Sequence, residues 1–138
     1  MATDVLLSKA ETIERCVRRV REEHAGDEAH LRDDLTRQDS ILLNLQRACE
    51  ASIDLAMHLV RALRLGVPQE SRDAFRLLVE AGYLERELGE RLMRMVGFRN
   101  IAVHNYKDLD LNIVQSIITE HLGDFLDFAR IGIELARS

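Results

Sequence analysis

Apolar residues recur along this chain at helical spacing almost from the start. Leu6, Ala10, Ile13, Val17 and Val20 fall at intervals of three and four, which places them on one face of an amphipathic helix over about 4–24. Arg15, Arg18, Arg19, Arg21, Glu22 and Glu23 cover the other side and read as a solvated face. Gly26 ends the helix and Asp27 can cap the next one. From 27 to 65 a near-continuous stripe follows: Leu31, Leu35, Leu42, Leu45, Cys49, Ile53, Ala56, Val60 and Leu63, widened by Ile41, Ser52 and Leu59. A helix of that length needs cover on more than one side. The polar run Gln38-Asp39-Ser40 offers a place for it to break, and Gly66-Val67-Pro68 stops it.

A short helix is predicted over 71–80, with Ala74, Phe75, Leu78 and Val79 inward and Ala81-Gly82 at its end. The next begins near Tyr83, carries Leu84, Leu88, Leu92, Met95 and Val96, and runs into a polar strip at 98–106. Gly89 and Gly97 lie within it, each costing about 1 kcal/mol relative to alanine. Gly97 directly precedes the strip, so a close approach by another backbone or a ligand is expected there. Asp108 or Asp110 can cap the last helix, about 111–136, whose stripe is Val114, Ile117, Ile118, His121, Phe125, Phe128, Ala129 and Leu135. No segment alternates as a strand does, and there is no repeat or linker. The expected architecture is all-α, a bundle of four to five helices in one domain spanning 1–138.

Composition adds little to that picture but removes several classes. Apolar residues at 46% and charged residues at 31% suit a soluble globular chain. Two cysteines, Cys16 and Cys49, are too few for a disulfide framework and point to reduced thiols in the cytoplasm. The start, Met1-Ala2-Thr3-Asp4-Val5, lacks the features of a signal peptide. No apolar run nears the ~18 residues of a membrane span. A net charge of −5 argues against a general nucleic-acid coat protein, yet leaves room for a local basic site.

The chemistry is concentrated in Phe98-Arg99-Asn100-Ile101-Ala102-Val103-His104-Asn105-Tyr106. Asn100 and His104, four apart, share a helix face, whereas Arg99 is offset from His104 by about 140° in a regular helix. One copy therefore does not focus both heads on one atom; two copies across a two-fold axis would line a shared cleft. Between 91 and 107 stand Arg91, Arg94, Arg99 and Lys107 with no acidic residue, a local positive patch suited to an anionic substrate. RNA cleavage needs a base for the 2′-OH, an acid for the leaving 5′-oxygen and positive charge on the phosphate. Histidine can fill either proton role, and arginine's planar fork fits phosphate oxygens. A homodimer supplies two histidines from one motif. The nucleophile is the RNA's own 2′-OH, so no metal or other cofactor is called for. Arg94 and Lys107 are candidate RNA contacts, otherwise solvated.

Arg-Asn-Ile-Ala-Val-His-Asn-Tyr fits the Arg-x4-His-x-Tyr signature and resembles HEPN-domain ribonucleases. Gln38-Asp39-Ser40-Ile41 through Gln46, Glu50-Ala51-Ser52-Ile53-Asp54, and Arg72-Asp73-Ala74-Phe75 through Gly82 are similar to the HepT-like toxins of the HEPN/MNT toxin–antitoxin family. The resemblance covers nearly the whole chain. It implies a metal-independent endoribonuclease acting as a homodimer. Arg99 and His104 would be catalytic and Asn100 supporting. It also implies a small nucleotidyltransferase antitoxin that neutralises the toxin by adding AMP to the motif tyrosine, here Tyr106.

A competing reading is a non-catalytic helical module whose basic cleft binds a nucleotide or a partner and regulates a nucleotidyltransferase. Elsewhere, Asp54 and His58 share a face, but further ligands for a metal are not evident and no Glu-x-x-His pair exists. His121 reads as interior or interface.

Overall fold

The computed structural model of the chain describes residues 3–138. Met1 and Ala2, the first residues of the stretch read as lacking a signal peptide, lie outside them. Helix α1 (Thr3–His24) buries Leu6, Ala10, Ile13, Val17 and Val20, as its stripe requires. It ends where Ala25 and Gly26 both take positive φ, 51° and 72°. Asp27 then caps the short α2 (Glu28–Arg32), accepting from the Ala29 N–H at 2.9 Å.

The long second helix breaks, but earlier than the run at 38–40. The break falls at Asp33-Asp34: Asp33 closes α2, and Asp34 adopts an extended backbone and caps α3 (Leu35–Ala62) through the Arg37 N–H at 3.1 Å. Asp33 closes α2 through its own N–H, which donates to the Ala29 carbonyl at 2.8 Å, and Asp34 opens α3 because its carboxylate satisfies a backbone donor directly. The break leaves Leu35 72% exposed, so that residue does not join the stripe. The rest of α3 is the spine of the bundle, packing against α1, α4, α5 and α7.

Helix α4 (Ser71–Glu80) starts where the Asp73 carboxylate accepts from the Gln69 and Glu70 N–H groups. Helix α5 begins at Arg86 rather than near Tyr83 and runs to His104. Gly89 lets α5 sit close on α4, because a β-carbon there would run into Val79. A 3₁₀ turn, Tyr106–Asp108, follows. Asp110 caps α6 (Leu111–Ser116), after which the chain widens into a single π turn over Ile117–His121 and resumes as α7 (Leu122–Ala136). The predicted last helix is thus one rod carrying a bulge. The largest buried side chains include Phe75, Phe125 and Phe128; Phe75 and Phe128 meet edge to face at 5.4 Å. The expected helical bundle of four to five helices is what forms: α1, α3, α5 and the α6–α7 rod, with α4 as the shorter fifth and α2 as a single added turn.

Candidate active site

The polar strip occupies the last turns of α5 and the turn behind it. The core-facing side of α5 carries Leu92, Met95, Val96 and Ala102. Arg99 lies at nearly the same helical angle as Leu92, so its guanidinium is turned inward, toward α3 and α4. There its Nη1 donates to Glu50 Oε1 at 3.1 Å and its Nη2 to Ser71 Oγ at 3.3 Å. Its Nε is shielded from solvent and has no hydrogen-bond partner among the described residues. Asn100 and His104 point outward and are exposed. No hydrogen bond or ion pair engages His104 among the described residues. One copy of the chain therefore does not bring Arg99 and His104 to a common atom, as the 140° offset requires.

The three other family-like segments turn out to hold this strip. Asp39 accepts a hydrogen bond from the Tyr106 hydroxyl at 3.1 Å. Glu50 and Ser71 hold Arg99. Arg72 donates from Nε to the Met93 carbonyl at 3.2 Å and lies over Gly97, where a β-carbon would sit 3.1 Å from its Nη2. The close approach at Gly97 is made by a side chain, where a second backbone or a ligand was expected to be the neighbour, and among the described residues no other atom comes as near. A cleft of about 240 Å³ between the start of α4 and α5 is lined by Ser71, Arg72, Arg99 and Asn100, with Glu70 at its edge.

The run of four cations is not a uniform positive patch. Arg91 pairs with the buried Asp124, Nε to both carboxylate oxygens at 3.1 Å, and Arg99 pairs with Glu50. The sequence window held no acid, yet α3 and α7 deliver acids to it from 49 and 33 residues away. Arg94 and Lys107 are exposed and make no ion pair among the described residues, leaving them as the available cations. Arg91 and Arg94 also border an apolar groove of about 350 Å³ between α5 and α6, floored by Met95, Phe98 and Ile117. His121 is half-buried at that groove and meets Asp124 Oδ2 through Nδ1 at 3.0 Å.

Other candidate chemistry is occupied or closed. Asp54 accepts from Lys9 Nζ at 3.1 Å. Cys16 and Cys49 are both buried free thiols. Burial, then the charge of Glu50, pushes the Cys49 thiol up to about 12 against the opposing effect of Arg99. Such a thiol is inert rather than nucleophilic. Burial likewise raises the Cys16 thiol.

Solved structures share this arrangement of helices. A tri-AMPylated Shewanella oneidensis HEPN toxin in complex with MNT antitoxin superposes with a TM-score of 0.87 at 45% identity, covering 93% of this chain and 96% of that one. A toxin–antitoxin structure with AMP-PNP gives 0.87 at 44%, with the same coverage. The fold is therefore that of the HEPN toxins. The family model described as Ribonuclease HepT-like matches residues 13–131, and the chain belongs to this family. The mRNA nuclease HepT of Shewanella oneidensis is 46% identical over 125 residues, 91% of this chain and 93% of that protein. A putative RNase of Archaeoglobus fulgidus is 31% identical over 91 residues, 66% of this chain and 68% of that protein. No described helix is long and apolar enough to cross a membrane.

Proposed function

We propose that this chain is the toxin of a toxin–antitoxin pair: an endoribonuclease that works in the cytoplasm without a metal and cuts at a site completed by two copies. The observation that carries the reading is the placement of Arg-x4-His-x-Tyr at the end of α5 in a HepT-like chain, with His104 open to solvent and Arg99 gripped from below. In this reading one His104 removes the 2′-OH proton and its mate in the second copy protonates the leaving 5′-oxygen. The Arg99 guanidiniums supply charge to the crowded phosphate. Asn100 sits beside His104 and supports it, while Arg94 and Lys107 hold flanking phosphates. The division of labour follows from helix geometry: a motif with one imidazole per chain provides an acid and a base only when two chains meet.

Control of the toxin falls to Tyr106 and a nucleotidyltransferase antitoxin of the MNT kind. Support comes from the Shewanella oneidensis toxin described as tri-AMPylated and bound to its MNT antitoxin, and from the exposure of Tyr106, at 47%. An AMP on Tyr106 would set a negative phosphodiester and a bulky nucleoside two residues beyond His104, against the path of an RNA phosphate.

The test is incubation of the purified chain with total RNA in EDTA beside His104→Ala and Arg99→Ala. Cleavage by the unaltered chain alone, leaving 2′,3′-cyclic phosphate ends, is expected. Equal cleavage by all three, or none by any, would overturn the catalytic assignment. Tight nucleotide binding without cleavage would favour the regulatory module instead.

A further inference from the structure

Tyr106 lies in the turn behind α5, and its hydroxyl proton points at Asp39 Oδ1, 3.1 Å away. Asp39 is on the second turn of α3, 67 residues earlier in the sequence. It does not cap α3, because Asp34 does. Its bond to Tyr106 is on the surface, where such contacts contribute only tenths of a kcal/mol to about 1 kcal/mol. Stability alone gives little reason for a carboxylate at that point.

We propose that Asp39 is the general base for adenylylation of Tyr106, so that the acceptor chain brings the base for its own modification. This rests on the reading above that Tyr106 accepts AMP. A phenol ionises near pH 10 in its ordinary state. Here partial burial, and then the hydrogen bond to and charge of Asp39, push it further up. A free phenolate is therefore scarce near neutrality, and the proton has to leave as the new bond forms. The contact at 3.1 Å is within the range over which a base takes a proton directly. With its O–H spent on Asp39, the oxygen keeps its lone pairs for an incoming phosphorus, and Tyr106 is exposed enough to be met by a partner enzyme.

The step balances without any redox change. Tyr106 Oη bonds to the α-phosphorus of a nucleoside triphosphate while its proton passes to Asp39 Oδ1. The bond between the α-phosphorus and the oxygen bridging to the β-phosphate breaks, and pyrophosphate leaves. Asp39 is exposed, so it releases the proton to water once the phosphodiester has formed.

The experiment uses the full chain with its nucleotidyltransferase antitoxin and Mg-ATP, following AMP addition by intact mass and locating it by peptide mapping. Asp39→Asn keeps the shape and a hydrogen-bonding group but not the basicity. Its rate at saturating ATP should fall about 100-fold or more, the usual size of a general-base effect, with little change in KM for ATP. A fluorinated tyrosine at 106, whose phenol is more acidic, should restore much of the rate in the Asp39→Asn background. A rate within about twofold of the unaltered chain, or a loss that the fluorinated tyrosine leaves untouched, overturns the role of Asp39 while Tyr106 stands. An adduct that persists in Tyr106→Phe, or no adduct on the unaltered chain, overturns the Tyr106 reading and this inference with it.

Discussion

Removing the Glu50 carboxylate probes how the site holds its arginine. Glu50 accepts from Arg99 Nη1 through both oxygens, at 3.1 and 3.4 Å. The Arg99 side chain is 21% exposed and that of Glu50 40%, and Arg99 Nε already lacks a partner among the described residues. An exposed pair contributes about 0.2–1 kcal/mol, whereas breaking a fully buried pair by deleting one member costs about 3–5 kcal/mol. This pair has its cation mostly inside and its anion at the rim, so Glu50→Ala should cost about 1–2 kcal/mol, between those limits. For a chain of this size the drop in Tm is about 3–8 °C. Glu50→Gln keeps an acceptor for Arg99 and should lose about half as much. Ser71→Ala removes only the neutral bond at 3.3 Å and should cost under about 1 kcal/mol. Scanning calorimetry at pH 7 gives the order directly. A Glu50→Ala Tm within about 1 °C of the unaltered chain, or a larger loss for Ser71→Ala, would refute the claim that Arg99 is held inward by its counter-ion.

Gly89→Ala and Gly97→Ala should part company in calorimetry. A β-carbon at 89 meets the stiff Val79, costing about 1–3 kcal/mol of overpacking, more than the helix gain; at 97 it meets the mobile end of Arg72, so the change is neutral or slightly stabilising. The Asp73 carboxyl is held below its ordinary range by the Gln69 and Glu70 N–H groups, then by Arg76. Its stabilisation is therefore present above the unfolded carboxyl pKa and lost as pH falls through the folded one. The Tm gap between the unaltered chain and Asp73→Asn should be full near neutrality and close in acid. Cys49, with its thiol pushed up to about 12, should resist iodoacetamide at pH 8 in the folded chain and react once the chain is unfolded; alkylation of the native protein at the rate of a free thiol would contradict its burial.

The stripes of α1, α3, α4 and α5 were legible because spacing of three and four leaves little choice of fold class. The break in the second helix was misplaced by about five residues. The pair Asp33-Asp34 carries the signal, a capping aspartate before Leu35, but the apolar spacing from Leu31 to Leu35 runs straight across it and masks the break. The π turn at Ile117–His121 falls within an apolar stripe of ordinary helical spacing, which gives no local sign of it. In the site, the strip 98–106 stood out from the sequence, and so did the angular mismatch between Arg99 and His104. Its counter-charges did not. Glu50, Asp39 and Asp124 reach Arg99, Tyr106 and Arg91 across 49, 67 and 33 residues, and periodicity within one helix carries no information about which remote acid faces it. That is why a window read as purely basic proved half neutralised. In the sequence the segments around Asp39, Glu50 and Arg72 stand out only by their resemblance to a family; the fold gives each a physical task against the strip or the residues beside it.

The account stands or falls on whether cleavage needs two intact copies at once. His104→Ala chains can be mixed with unaltered chains at fixed total concentration, exchanged to equilibrium, and assayed on RNA in EDTA. If each cut takes one imidazole from each copy, activity follows the square of the unaltered fraction, and an equal mixture retains about a quarter. A mixture that retains about half would mean that each chain cuts alone, contradicting a shared site.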